Sequence, residues 1–171
     1  MSMPPSVESP RELLLEQLGH LLATESLLER RILPELVAST DDDELKRTFA
    51  SHLEQTHRHV ANLRRAFERL GAPAAGKPTP GLDGLRAERT QTVEQLAPAL
   101  RPGYDCAAAM GAEHYEINAY DATVRLAVAM GAQEVSELLR QNLAQDVSAL
   151  EQLAAHADRL AEEAVRDGSA R

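Results

Sequence analysis

Four stretches of this 171-residue sequence place acids, histidines and amides where a helical repeat calls for apolar side chains. Glu25 falls four residues after Leu21 and three before Leu28, on the stripe that a helix turns toward its core. His52, Thr56 and His59 interrupt the run from Leu45 and Phe49 to Leu63, with Gln55 one turn from both histidines. Glu113 and Glu116, three apart, share a face with Ala109 and Tyr120. Asp146 lies among Leu139, Leu143, Leu150 and Leu153, with Gln145 beside it. Taken singly, each is an ordinary residue of an amphipathic helix. The weight lies in four such interruptions falling near four helix midpoints. Gathered into one layer the carboxylates repel one another, and protonation or a bound cation relieves the repulsion. Oxygen and imidazole nitrogen are donors that suit iron, manganese or zinc.

The elements that must position these residues are helices. Ala, Leu, Glu, Arg and Gln dominate, residues that cost least to hold in a helix, and aromatics make up only 3 %. Ser9-Pro10-Arg11-Glu12 has the form of a capping box with proline at the first helical position, so a first helix runs from there to the break at Ser39-Thr40-Asp41, with Pro34 disturbing its last turns. A second helix starts at the acids Asp41 to Asp43 and ends at Gly71. The stretch from Gly71 to Gly81 holds three glycines and three prolines in eleven residues and reads as a connection. A shorter helix is expected between Asp83 and Leu100. Long third and fourth helices then span about Tyr104 to Met130 and about Gln133 to Arg166. Two helical hairpins separated by one long connection, itself containing a short extra helix, form an all-α, ferritin-like four-helix bundle. The expected domain is residues 9–166, with 1–8 and 167–171 as flexible termini.

Composition excludes several functions. The formal net charge of −9 argues against a nucleic-acid surface, which needs clustered Lys and Arg. Cys106 is the only cysteine, so neither an intrachain disulfide nor a CxxC metal site is available. No stretch approaches the length of uninterrupted apolar residues that a membrane span needs, and Met1 to Pro10 lacks a signal-like pattern, which gives a cytoplasmic location as the expectation.

Several strings together resemble the YciE/YciF-type ferritin-like stress proteins of bacteria. They are Ala23-Thr24-Glu25, Glu44-Leu45-Lys46, Ser51-His52-Leu53-Glu54-Gln55-Thr56, Glu113-His114-Tyr115-Glu116-Ile117 with Tyr120, and Leu138-Leu139 with Leu143. The resemblance covers roughly residues 12–155 and implies a ferritin-like fold, a homodimer and a link to stress. It puts the family's inward acids and histidine on Glu25, His52, Glu113 and Glu116. The chain departs from the family at Gln55, where a Glu is usual, at Gln145-Asp146, where a Glu-Glu pair is usual, and at Leu150, where an Asp is usual. Each change removes or shortens a carboxylate.

The expected metal set is Glu25, His52, Glu113, Glu116 and Asp146, with Gln55 as a weak ligand or an outer donor. His59 ranks below them, because His52 and His59 are seven residues apart, about 10 Å along a helix axis, too far for one centre. Two functions follow. One is a metal-binding protein, ferroxidase-like or peroxidase-like, that handles iron or manganese and an oxidant under stress. The other is a non-enzymatic dimeric scaffold whose centre has decayed into a hydrogen-bonded polar layer.

Overall fold

The computed structural model describes residues 6–169, all of whose regular structure is helical. The flexible termini expected at 1–8 and 167–171 lie in part outside the described residues; within them, the last helix continues to Ser169.

Helix α1 (Pro10–Leu27) starts as its sequence dictates: the Ser9 hydroxyl accepts the Glu12 N–H at 3.2 Å. The Glu12 carboxylate reaches back one residue further than a capping box requires and accepts the Glu8 N–H at 2.9 Å. The disturbance expected at Pro34 takes the form of a π-helical turn, Leu28–Ile32, ahead of α2 (Leu33–Ser39). Proline has no N–H to give and its ring crowds the carbonyl four residues back, so the turn before it widens, with the Leu33 N–H bonded to the Leu28 carbonyl. Helix α3 (Asp43–Arg69) is capped by Asp42, whose carboxylate accepts the Leu45 N–H at 2.8 Å. It ends at Gly71, whose φ of 63° is the left-handed conformation that only glycine adopts without strain.

The connection then runs along α1, with the Lys77 N–H bonded to the Gly19 carbonyl at 2.9 Å. This approach requires glycine: a Cβ at position 19 would stand 2.5 Å from Lys77 Cγ and 2.9 Å from the Ala75 carbonyl oxygen. The short extra helix α4 (Pro80–Gln95) packs on α5 (Arg101–Ala129), and α6 (Gln133–Ser169) closes the bundle. Helix α1 packs on α3 and α5, and α6 packs on the same two, so the four main helices form a closed ring. Among the described residues no helix is long and apolar enough to cross a membrane.

The core consists of two aliphatic clusters. One holds Leu14, Leu18 and Leu21 of α1, Leu63 and Phe67 of α3, Val124 and Ala127 of α5, and Leu139 of α6. The other holds Leu28, Leu36, Leu45, Phe49, Cys106 and Leu153. On every main helix the polar residues fall between the members of the two clusters, so the clusters are separated by a layer of a different chemistry.

Candidate metal centre

The structure brings Glu25, His52, Glu113, Glu116 and Asp146 into that layer, all buried, with Glu25, Glu116 and Asp146 at 0 % exposure. It brings His59 there too, likewise at 0 %. The spacing argument against His59 counts axial rise only. The two imidazoles lean toward each other, so their ring centroids are 6.4 Å apart, and each stands among a different group of potential ligand atoms. Donor atoms of Glu25, His59 and Asp146 lie within 4.8 Å of one another, and so do those of His52, Glu113 and Asp146. Asp146 is common to both triads.

Two glutamines, Gln55 and Gln145, orient the imidazoles. Gln55 Oε1 lies 3.2 Å from His52 Nδ1, and Gln145 Oε1 lies 3.0 Å from His59 Nε2. An amide oxygen only accepts, so each of these ring nitrogens carries the N–H. The opposite nitrogens, His52 Nε2 and His59 Nδ1, point inward, as lone pairs while the rings are neutral and as N–H donors to the carboxylates once they are protonated. These are the nitrogens that meet carboxylates. His52 Nε2 is 2.9 Å from Glu113 Oε1, close but not aligned as a hydrogen bond. His59 Nδ1 is 3.1 Å from Glu25 Oε1 and 3.5 Å from Asp146 Oδ1. A lone pair facing a carboxylate oxygen is repelled unless a proton or a cation lies between them.

The acids share that demand. Glu25 Oε2, Glu113 Oε2 and both oxygens of Glu116 and of Asp146 are buried without a hydrogen-bond partner. Burial, with the charges of Glu25, Asp146 and Glu113 added, pushes the Glu116 carboxyl well above the usual carboxylate range. Burial, with Glu25 and Glu113, does the same to Asp146. For His52, burial pulls downward, but the Glu113 contact and charge, Gln55 and Glu25 outweigh it and lift the ring to about 8. The donor set, hard oxygen with imidazole and no thiolate, fits iron, manganese or zinc, and the unpartnered oxygens are the atoms a cation would engage.

One side of the layer holds a hydrogen-bond network that the sequence reading missed. The Tyr120 hydroxyl donates to Glu25 Oε1 at 2.6 Å and accepts from Asn142 Nδ2 at 2.9 Å; Asn142 in turn accepts from Asn62 at 2.9 Å. The signal was present, since Tyr120 is four residues from Glu116 and Asn142 four from Asp146, each on the same helical face. Leu150, one turn beyond Asp146, is half-buried.

A closed ring of four long helices around a buried carboxylate and histidine layer defines a protein of the ferritin-like class. The chain belongs to the family described as "Domain of unknown function (DUF892)", whose model matches residues 9–166. It is 27 % identical over 132 residues to Protein YciF of Escherichia coli K12, covering 74 % of this chain and 80 % of that protein. In structure it resembles YcfI of Rhodopseudomonas palustris, with a TM-score of 0.85 and 26 % identity over 90 % of this chain and 98 % of that one. The crystal structure of the E. coli stress protein YciF gives the same fold, with a TM-score of 0.85 and 23 % identity over 91 % and 99 % of the two chains.

Proposed function

We propose that this chain is a metalloprotein whose central layer holds one or two divalent ions, iron first and manganese or zinc as alternatives. Glu25, His59 and Asp146 would hold one, His52, Glu113 and Asp146 the other, with Glu116 adding charge to both. A bound ion supplies a Lewis acid and, if iron or manganese, a redox couple open to oxygen or peroxide. On this reading the protein detoxifies or stores metal under stress, in the cytoplasm and as a homodimer. The observation that carries the proposal is the meeting of two imidazole nitrogens with buried carboxylates, of which Glu25 Oε2, Glu113 Oε2 and both oxygens of Glu116 and Asp146 have no hydrogen-bond partner.

The protein's own residues prepare the site. Gln55 and Gln145 fix the imidazole tautomers, Tyr120 holds one Glu25 oxygen and leaves the other free, and the aliphatic clusters on either side keep water out. Metal analysis of untagged protein purified without added metal, beside oxygen consumption with ferrous iron, tests the reading. Glu113→Ala should lower metal content, since a ligand and its charge are lost together. A parent protein without bound metal, with no chelator effect on its thermal melt, would count against it. Light scattering that gives a monomer at micromolar concentration would remove the dimer.

A second reading, a non-enzymatic dimeric scaffold with a degenerate site, draws support from Glu116 and Asp146. Their raised pKa values mean that protons alone can neutralise part of the layer.

A further inference from the structure

Away from the central layer, α1, α5 and the end of the long connection enclose an open groove of about 390 Å³. Two glycines fix its shape. Gly19 lets the connection lie against α1, and at Gly81 a Cβ would stand 2.7 Å from Tyr115 Cε2, so the Tyr115 ring takes space that only glycine leaves free. With Pro78, Pro80, Ala119 and Ala122, that ring gives the groove stiff and largely apolar walls.

The polar groups lining it are neutral and unengaged. Gln17 Oε1 is buried with no hydrogen-bond partner, and neither the Tyr115 hydroxyl nor the Asn118 amide has a partner among the described residues. The charges nearby are engaged with one another. His20 Nδ1 lies 2.8 Å from the Pro78 carbonyl oxygen, which only accepts, so that nitrogen carries an N–H committed to the connection. Its Nε2 faces Glu16 Oε1 at 3.6 Å, and Lys77 Nζ holds the other Glu16 oxygen at 2.9 Å.

This inventory selects a guest. An anion finds no free cation here, and a wholly apolar molecule leaves the Gln17 oxygen unpaired. A flat ring packs on aromatic and proline walls, and an N–H on its edge gives Gln17 the donor it lacks. We propose that the groove is a binding site for one uncharged, planar heteroaromatic ring bearing an N–H donor, of the nucleobase kind, with Gln17 as the acceptor and the Tyr115 and proline walls flanking the ring. The site stands apart from the metal reading and does not depend on it.

NMR titration of the full-length chain tests the proposal, with the side-chain amide signals of Gln17 and Asn118 as reporters at the groove itself. Adenosine should shift both saturably at millimolar concentration, and purine riboside, the same ring without the exocyclic amine, should bind about tenfold more weakly. Gln17→Leu should bring adenosine down to the level of purine riboside. Adenosine monophosphate should bind no more tightly than adenosine; tighter binding would make the groove a phosphate site and overturn the proposal. Ala122→Phe, at an exposed position on the rim that leaves the core untouched, should fill the groove and abolish the shifts. No saturable shift with adenosine, equal affinity for the two nucleosides, or binding that survives Ala122→Phe would each overturn it as well.

Discussion

The aliphatic cluster around Leu14, Leu63 and Leu139 and the polar layer around Glu25 and Asp146 are equally buried, and Tyr120 belongs to both, its ring in one and its hydroxyl in the other. Burial acts in opposite directions in the two. Each leucine gains about 1.5–3 kcal/mol by leaving water, whereas an ionised carboxylate taken from water without a partner costs several kcal/mol. A helical stripe read from sequence reports which residues face inward; it does not report the sign of what burying them does. That sign depends on partners from other helices, or on a guest.

The comparison is broken hardest from the aliphatic side. Leu63→Ala, at 0 % exposure, should destabilise the protein by about 2–5 kcal/mol, the usual range for a buried leucine truncated in a core. Denaturant melts should give the same loss with and without chelator, because no ligand is involved. A loss that depends on chelator would mean that the two regions are not energetically separate.

In the polar layer the expected behaviour reverses. Glu116 and Asp146 have folded pKa values raised above their ordinary 4.5 and 3.8, and His52 rises from 6.5 to about 8. A group raised on folding contributes stability that is whole below its unfolded pKa and is lost as pH climbs toward the folded value. All three therefore act in one direction, and chelated protein should melt at a higher temperature near pH 5 than near pH 8. Bound metal competes with those protons, so the loaded protein should lose less over the same span or invert the trend. Glu116→Gln should leave the chelated protein as stable or more so. It should also reduce the gain from metal, which for the parent is about 2.7 kcal/mol at a hundredfold excess over Kd. Chelated protein that gains stability with rising pH would sink this account.

The smallest effect is expected where the regions meet. Tyr120→Phe keeps the ring in the aliphatic cluster and removes one bond from Glu25 and one from Asn142, a loss of about 1–2 kcal/mol. Double-mutant cycles with Glu25→Gln should show coupling between the two positions, while Tyr120→Phe with Leu14→Ala should come closer to additive.

The bundle, its long connection and the inward positions of Glu25, His52, Glu113, Glu116 and Asp146 were legible because helical phase is a one-dimensional property. What escaped depends on side chains in three dimensions. His59 looked too far from His52 because axial rise says nothing of how two rings lean. Gln55 and Gln145 looked like lost ligands. Gln55 was already one turn from His52 in sequence, and it serves as an acceptor rather than a donor; the contact of Gln145 with His59 appears only when the histidine across the bundle is in view. Tyr120 and Asn142 sat on the right faces, but a tyrosine and an asparagine gain meaning only once their partners across the bundle are known.

The π-helical turn at Leu28–Ile32 bears on how this chain can change length. Buried positions on α1 step by fours and threes through Leu14, Leu18, Leu21, Glu25 and Leu28, and then by five to Leu33. The extra residue is a phase correction written into the sequence, where one residue corresponds to about 100° of rotation. Deleting a residue between Leu28 and Leu33 would turn that step of five into a step of four, the spacing already made from Leu14 to Leu18, so a plain α-helical turn would replace the π turn with Glu25 still facing inward. Deleting one between Leu14 and Glu25 has no such slack: it would rotate the start of the helix by about 100° against the layer without removing any residue of the centre.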